Sequence, residues 1–191
     1  MLETINKHLS EHVAAIRDLS DEHVGVLVDI TNAMVNTYKN DGKVVFFGNG
    51  GSAQDAEHLA AELVGRFTMD RRSLPAMSLN INTSILTAVS NDFNYNQVFE
   101  RQIEALVNSG DVVIGLSTSG DSENIIRGIL KARDKGAKTI GFTGRGGGKL
   151  KGIVHILFEV PSDNTPRIQE VHITVGHIIC QLVEEALFGN Q

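Results

Sequence analysis

A single cysteine, Cys180, stands among 191 residues, so no disulfide within the chain can staple the fold. It lies in an apolar helical run from His177 to Val183, where a thiol packs as a small hydrophobe, and its solitude fits a reducing compartment. Tryptophan is missing, and the first of only three prolines is Pro75, so nothing breaks the helical spacing that precedes it. The N-terminus, Met1-Leu2-Glu3-Thr4, lacks the basic and apolar segments of a secretory leader. No uninterrupted apolar run approaches the ~20 residues of a membrane span. Basic residues are in deficit: 17 Lys and Arg against 23 Asp and Glu leave a net charge of −6. A duplex nucleic-acid binder normally carries a basic surface, so that class is disfavoured. A small anionic substrate stays open, because a local cluster of donors holds phosphate even in an acidic protein. The expectation is one soluble, cytoplasmic domain spanning 1–191, long enough to bury its own core, with no nucleic-acid or membrane partner.

What is present is a repeating pattern. From Leu2 to about Asn40, apolar residues recur at helical spacing (Ile5, Leu9, Val13, Ile16, then Val24, Leu27, Val28, Ile30, Val35). Ser20 before Asp21 reads as an N-cap between two helices. Residues 1–41 thus form a helical arm and 42–191 an α/β core. Five buried strands are predicted: Lys43–Gly48, Ala76–Asn80, Asp111–Ser117, Lys138–Thr143 and His155–Val160. Helical spacing fills the intervals between the first four and the tail after the fifth. That alternation predicts a five-stranded parallel sheet, flavodoxin-like, with helices on both faces. The glycine-dense run from Gly144 to Gly148 reads as a turn. In such a sheet ligands sit beyond the carboxyl ends of the strands, so the residues after each strand matter most.

The first strand ends in Gly48-Asn49-Gly50-Gly51-Ser52, where glycines let a backbone approach an anion. Gly48, Gly50 and Ala53 match the dinucleotide fingerprint. However, the second strand ends in Asn80 where a ribose-binding acid belongs, and Asp70 lies before that strand. A P-loop fails as well, since Thr143 and Leu150 stand where Gly and Ser/Thr are required around Gly148-Lys149. The third strand ends in Ser117-Thr118-Ser119-Gly120-Asp121-Ser122, with four hydroxyls before a helix. Ordinary N-capping needs one. Four beside unpaired helix N–H groups suit a phosphate monoester. Farther on, His58 and Glu62 are four apart and point to one side of a helix. Alone, they read as readily as a surface pair, and His177 among Val175, Ile178 and Ile179 reads equally as a core histidine.

Gly48–Ser52 followed by Ser117-Thr118-Ser119-Gly120, with Asn91-Asp92-Phe93 and Arg167-Ile168-Gln169-Glu170-Val171-His172, resembles the sugar isomerase (SIS) domain family across essentially the whole chain. Within it, His-x-x-x-Glu in the first long helix and Gln-x7-His in the last resemble the phosphoheptose isomerases. That resemblance implies conversion of sedoheptulose 7-phosphate to D-glycero-D-manno-heptose 7-phosphate. This is the first step of bacterial ADP-heptose and lipopolysaccharide core heptose biosynthesis. It implies Glu62 and His177 as acid–base residues and one zinc ion per subunit on His58, Glu62, Gln169 and His177. It assigns phosphate and sugar contacts to Asn49, Gly50, Gly51, Ser52, Ser117, Thr118, Ser119 and Ser122. Arg66, Asn91, Asp92 and Gln169 are further substrate candidates. It also implies a homotetramer with active sites at subunit interfaces. Gln169 and His177 lie eight apart, about 12 Å along a straight helix. Either Gln169 reaches in from the helix start or the site draws on more than one subunit. Some family members have Ala-Asp before Arg-Ile-Gln, whereas this chain has Thr165-Pro166, so that aspartate's role does not transfer. Ser73-Leu74-Pro75-Ala76 and Leu86-Thr87-Ala88 also resemble a non-catalytic SIS relative that binds the replication initiator. That relative does not use the counterparts of Glu62 and His177 as acid and base. An isomerase of another phosphosugar is the remaining alternative.

Overall fold

The computed structural model describes residues 1–189. Helices α1 (Leu2–Arg17) and α2 (Asp21–Lys39) come first, and α2 is not a separate arm but packs into the core through Ile30 and Met34. Ser20 starts α2 through a capping box, its backbone N–H donating to His23 Nδ1 at 3.0 Å. The core then runs β1 (Val44–Gly48), α3 (Gly51–Val64), β2 (Ala76–Ser78), α4 (Thr83–Asp92), α5 (Val98–Leu106), β3 (Val112–Leu116), α6 (Glu123–Asp134), β4 (Lys138–Thr143), β5 (Ile156–Glu159) and α7 (Thr165–Phe188). The glycine-dense turn continues into a 3-10 helix, Gly148–Gly152, the one piece of helix between β4 and β5 among the described residues. The second strand is shorter than its apolar run suggests. It stops at Ser78 because Asn80 turns its amide onto the backbone of Gly48, accepting from its N–H at 3.2 Å and donating to its carbonyl at 2.9 Å. The residue that stands in the ribose-acid position thus locks the first loop instead.

All strand pairs are parallel, in the order β2-β1-β3-β4-β5. This is the flavodoxin-like order, whose switch point lies between β1 and β3. There Gly48 pairs with Leu116, so the loops after the two strands leave the sheet side by side. β1 and β3 are buried along their whole length, which is why they read as unbroken apolar runs. Their side chains alternate between two cores. Val44 and Phe46 pack with α2, α3 and α7, whereas Val45 and Phe47 pack with α5 and α6.

Helix α7 is long and apolar enough to cross a membrane by length and composition, but half of its most apolar window is buried in the fold. It is a core helix packed on α2 and α3. Cys180 on it is 2% exposed, and burial pushes its thiol up to about 12, as befits a packed hydrophobe. His172 is fully buried. Its Nε2 donates to the Thr143 carbonyl at 3.1 Å and its Nδ1 has no partner. Burial pulls its pKa down to about 4, against 6.5 in the unfolded chain. Between those values the unfolded chain binds more protons, so this stability is complete above pH 6.5 and is lost as the pH falls through 4. We expect acid titration of folding stability to lose about 3 kcal/mol over that window, and His172→Leu to flatten it. An equal pH slope in the variant would contradict this.

Candidate active site

At the end of β1 the chain turns on Gly50, the N-cap of α3, at φ +58°. Gly51 follows as the first helical residue, and Ser52 is buried. Asn49 lies between the two loops of the switch point. Its amide exchanges two hydrogen bonds with Asn124, each 2.9 Å, and its Oδ1 also accepts from the Tyr95 hydroxyl at 3.0 Å. Asn124, buried in the first turn of α6, therefore ties the glycine loop to the hydroxyl loop.

In the hydroxyl loop Ser117 is buried, Thr118 is half-buried and Ser119 is exposed. Ser122 occupies the N-cap position of α6 but does not cap it. Its hydroxyl bonds to that of Ser117 at 3.1 Å. Ser119 Oγ accepts from the Asp121 N–H at 3.2 Å. Gly120, at φ +70°, is pressed against the glycine turn, where a Cβ would lie 2.1 Å from the Gly147 carbonyl oxygen. That contact fixes the hydroxyl loop against the glycine turn.

The second half of the site lies farther along α3. His58 Nε2 and Glu62 Oε1 are 2.9 Å apart. The His177 ring stands edge-on to His58, with centroids 5.0 Å apart, and stacks on Phe67 at 5.3 Å and 26°. One ligand atom from each of His58, Glu62 and His177 lies within 4.8 Å of the others. His177 Nε2 is buried with no hydrogen-bond partner. Burial lowers the His177 pKa, His58 lowers it further, and Glu62 opposes both. The ring is thus held neutral, able to accept a proton or bind a cation. Asp55, one turn before His58, has an unpartnered buried oxygen, and burial raises its pKa to about 6 against the pull of His58.

Gln169 is not beside His177. Helix α7 is continuous between them, and the Gln169 amide packs at Gly51, where a Cβ would meet its Nε2 at 2.8 Å. Because Gly176 packs on Leu59, α7 runs alongside α3 in the same direction and keeps Gln169 at the loop end of the site. Arg66 is exposed just past the end of α3. Asn91 and Asp92 are exposed at the end of α4, joined by a 2.9 Å bond from Asn91 Nδ2. Their link to the loops is Tyr95, three residues on. Asn124, Tyr95, Phe67 and Asp55 are the site members that sequence reasoning missed. None of the four has a spacing that marks it, and Asn124 merely stands two residues after Ser122. A surface cleft of about 410 Å³ lies at the other end of the sheet, lined by Asn36, Thr37, Asn40, Gly110 and Lys138, and holds none of these groups.

The SIS domain family matches residues 7–144. A phosphoheptose isomerase of Aquifex aeolicus is 53% identical over 185 residues, covering 97% of each chain. That of Nitratiruptor is 48% identical over 186 residues, covering 97% of this chain and 100% of the other. The solved phosphoheptose isomerase of Neisseria gonorrhoeae has a TM-score of 0.91 at 37% identity, covering 96% of this chain and 98% of its own. The one from Francisella tularensis gives 0.90 at 34%, with the same coverage. With fold, loops and near-complete coverage in agreement, the chain belongs to the SIS domain family and, within it, to the phosphoheptose isomerases.

Proposed function

We propose that the protein interconverts sedoheptulose 7-phosphate and D-glycero-D-manno-heptose 7-phosphate, supplying activated heptose for lipopolysaccharide core assembly in the cytoplasm. The observation that carries the assignment of roles is the meeting of His58, Glu62 and His177 on one side of α3 and α7. The substrate phosphate sits among the hydroxyls of Ser117, Thr118, Ser119 and Ser122 at the uncapped start of α6. Asn49, Gly50, Gly51, Ser52 and Gln169 line the sugar, with Arg66, Asn91 and Asp92 at the rim. Binding at the phosphate orients the far end of the sugar. Glu62 takes the proton from C1 of the ketose and returns it to C2, and neutral His177 moves the proton between the two oxygens. A non-catalytic scaffold would have no use for these two residues in contact with one cluster.

The same residues fit a divalent cation. His177 Nε2 is a buried nitrogen without a partner, and His58 and Glu62 complete a nitrogen and oxygen donor set suited to zinc. Such an ion, when bound, supplies Lewis-acid polarisation of the sugar carbonyl. Gln169, held at Gly51, serves the substrate within its own chain. Its part as a ligand requires a neighbouring subunit. Leu2, Ile5, Leu9 and Val13 recur along α1 and remain exposed, as do Val24 and Val28 on α2. That apolar stripe supports assembly into a homotetramer, with the site completed across subunits.

Turnover of sedoheptulose 7-phosphate with and without chelator tests this reading. Chelation should abolish turnover and added zinc should restore it. Full activity in chelator would remove the ion from the account. Ser119→Ala should raise the KM for the phosphosugar about 10-fold or more, the worth of one hydrogen bond to a charged group, with an unchanged Tm. An unchanged KM would count against the phosphate loop.

A further inference from the structure

We infer that Arg71 and Glu184, which no part of the proposed chemistry uses directly, form a buried positioning unit for Glu62 and His177. The inference rests on the acid–base reading of those two residues. The Arg71 side chain is 1% exposed and that of Glu184 0%, with Nε and Oε1 2.9 Å apart. Glu184 lies seven residues beyond His177 on α7, close to two full turns, and so faces the same side of the helix.

Around this pair the segment after α3 is wound like thread on a spool. Glu184 accepts from the backbone N–H groups of Phe67 at 2.8 Å, Thr68 at 2.8 Å and Met69 at 3.0 Å, and from the Thr68 hydroxyl at 3.0 Å. These bonds hold its pKa below the usual carboxylate range despite burial. Arg71 Nη2 donates to the carbonyl of Glu62 itself at 2.9 Å. Its Nη1 donates to the carbonyls of Leu63, Gly65 and Arg72 at 2.8, 3.1 and 3.1 Å. The last carbonyls of a helix have no partner within it, so Arg71 acts as the missing C-cap of α3. Glu62 is in that final turn. On the other side, the three N–H bonds set Phe67 flat against His177.

One ion pair thus fixes the backbone of the base and the ring that backs its partner. A buried pair contributes little net stability over apolar residues of similar volume, so stability alone is a weak reason for it. Placement is a stronger one, because a misplacement of about 1 Å at a reacting group can cost ~100-fold in rate.

The test is steady-state kinetics and thermal melting of full-length variants in their native assembly. Glu184→Gln keeps the shape but turns an NH2 toward a backbone donor. We expect kcat to fall ~10-fold or more while KM stays within about 3-fold, because the phosphate loop does not touch this pair. Phe67→Leu removes the stack and leaves the ion pair. It should lower kcat as well, and the double variant should lose less than the product of the two single losses. Arg71→Lys keeps the charge but cannot span the Glu62 and Leu63 carbonyls. It should reproduce the kcat loss, and it decides the matter alone should Glu184→Gln fail to fold. A lowered Tm with unchanged kcat in the folded protein, or losses that multiply, would overturn the inference. Glu62→Gln is the control. If it stays active, the acid–base reading fails. If it is dead while Arg71→Lys and Glu184→Gln turn over normally, only the positioning role fails.

Discussion

Glu62→Gln is expected to cut kcat by about 10²–10⁴-fold, the usual contribution of a positioned general base, while substrate still binds. The substitution is nearly isosteric. The amide oxygen can keep its place 2.9 Å from His58 Nε2, and the helix around it is anchored by Leu59 and Leu63, both buried. What disappears is the basic lone pair that takes the carbon proton. A loss confined to kcat corresponds to an interaction made in the transition state, and at this size it is worth about 3–5 kcal/mol. Calorimetric titration with the phosphosugar separates the two steps. Binding near wild type with collapsed turnover supports the base. Near-wild-type turnover would contradict the assignment.

Gly120→Ala should be the most damaging single methyl group in the hydroxyl loop. The position has φ +70°, where a side chain is already strained. The added carbon would lie 2.1 Å from the Gly147 oxygen, 2.6 Å from its carbonyl carbon and 2.9 Å from the Gly148 nitrogen. All three are backbone atoms, so no rotamer change relieves the clash. The contact is mutual, since a Cβ on Gly148 would lie 2.5 Å from the Ser119 carbonyl oxygen. The two loops must separate, and Ser119 moves with them. We expect a loss of about 3 kcal/mol or more, a Tm lowered by roughly 6–12 °C, and a weakened affinity for the phosphosugar. Gly50→Ala is the comparison. It also has positive φ, in a region outside αL that glycine alone adopts readily, but no atom lies within 4 Å of its Cβ position, so it should cost only the backbone strain, about 1–3 kcal/mol. Equal losses in the two variants would show that backbone strain, not the contact between loops, sets the cost.

The features legible in the sequence were those with a local cause. The strands showed because both faces of the sheet are buried, so Val112–Leu116 has no polar face to present. His58 and Glu62 showed because a helix turns residues four apart to the same side. The hidden features depend on pairings between distant segments. Asn124 meets Asn49 across 75 positions, and Arg71 meets Glu184 across 113. Neither has a repeat or spacing that announces it. Gln169 is intermediate: its 12 Å axial distance from His177 follows from helix geometry, but its place against Gly51 follows only from α7 running alongside α3. Phe67 follows the end of α3 with no pattern around it, and only the Glu184 bonds lay it on His177.

The role of Glu62 in the isomerisation is tested most directly by proton NMR of sedoheptulose 7-phosphate incubated with the purified protein in D2O, beside Glu62→Gln. Aldoheptose phosphate signals with deuterium at C2 are expected, because the proton taken by Glu62 exchanges with solvent before it is returned, and no product is expected from the variant. An unchanged ketose spectrum with folded, zinc-loaded protein, or deuterium-free product formed equally well by Glu62→Gln, would contradict that role.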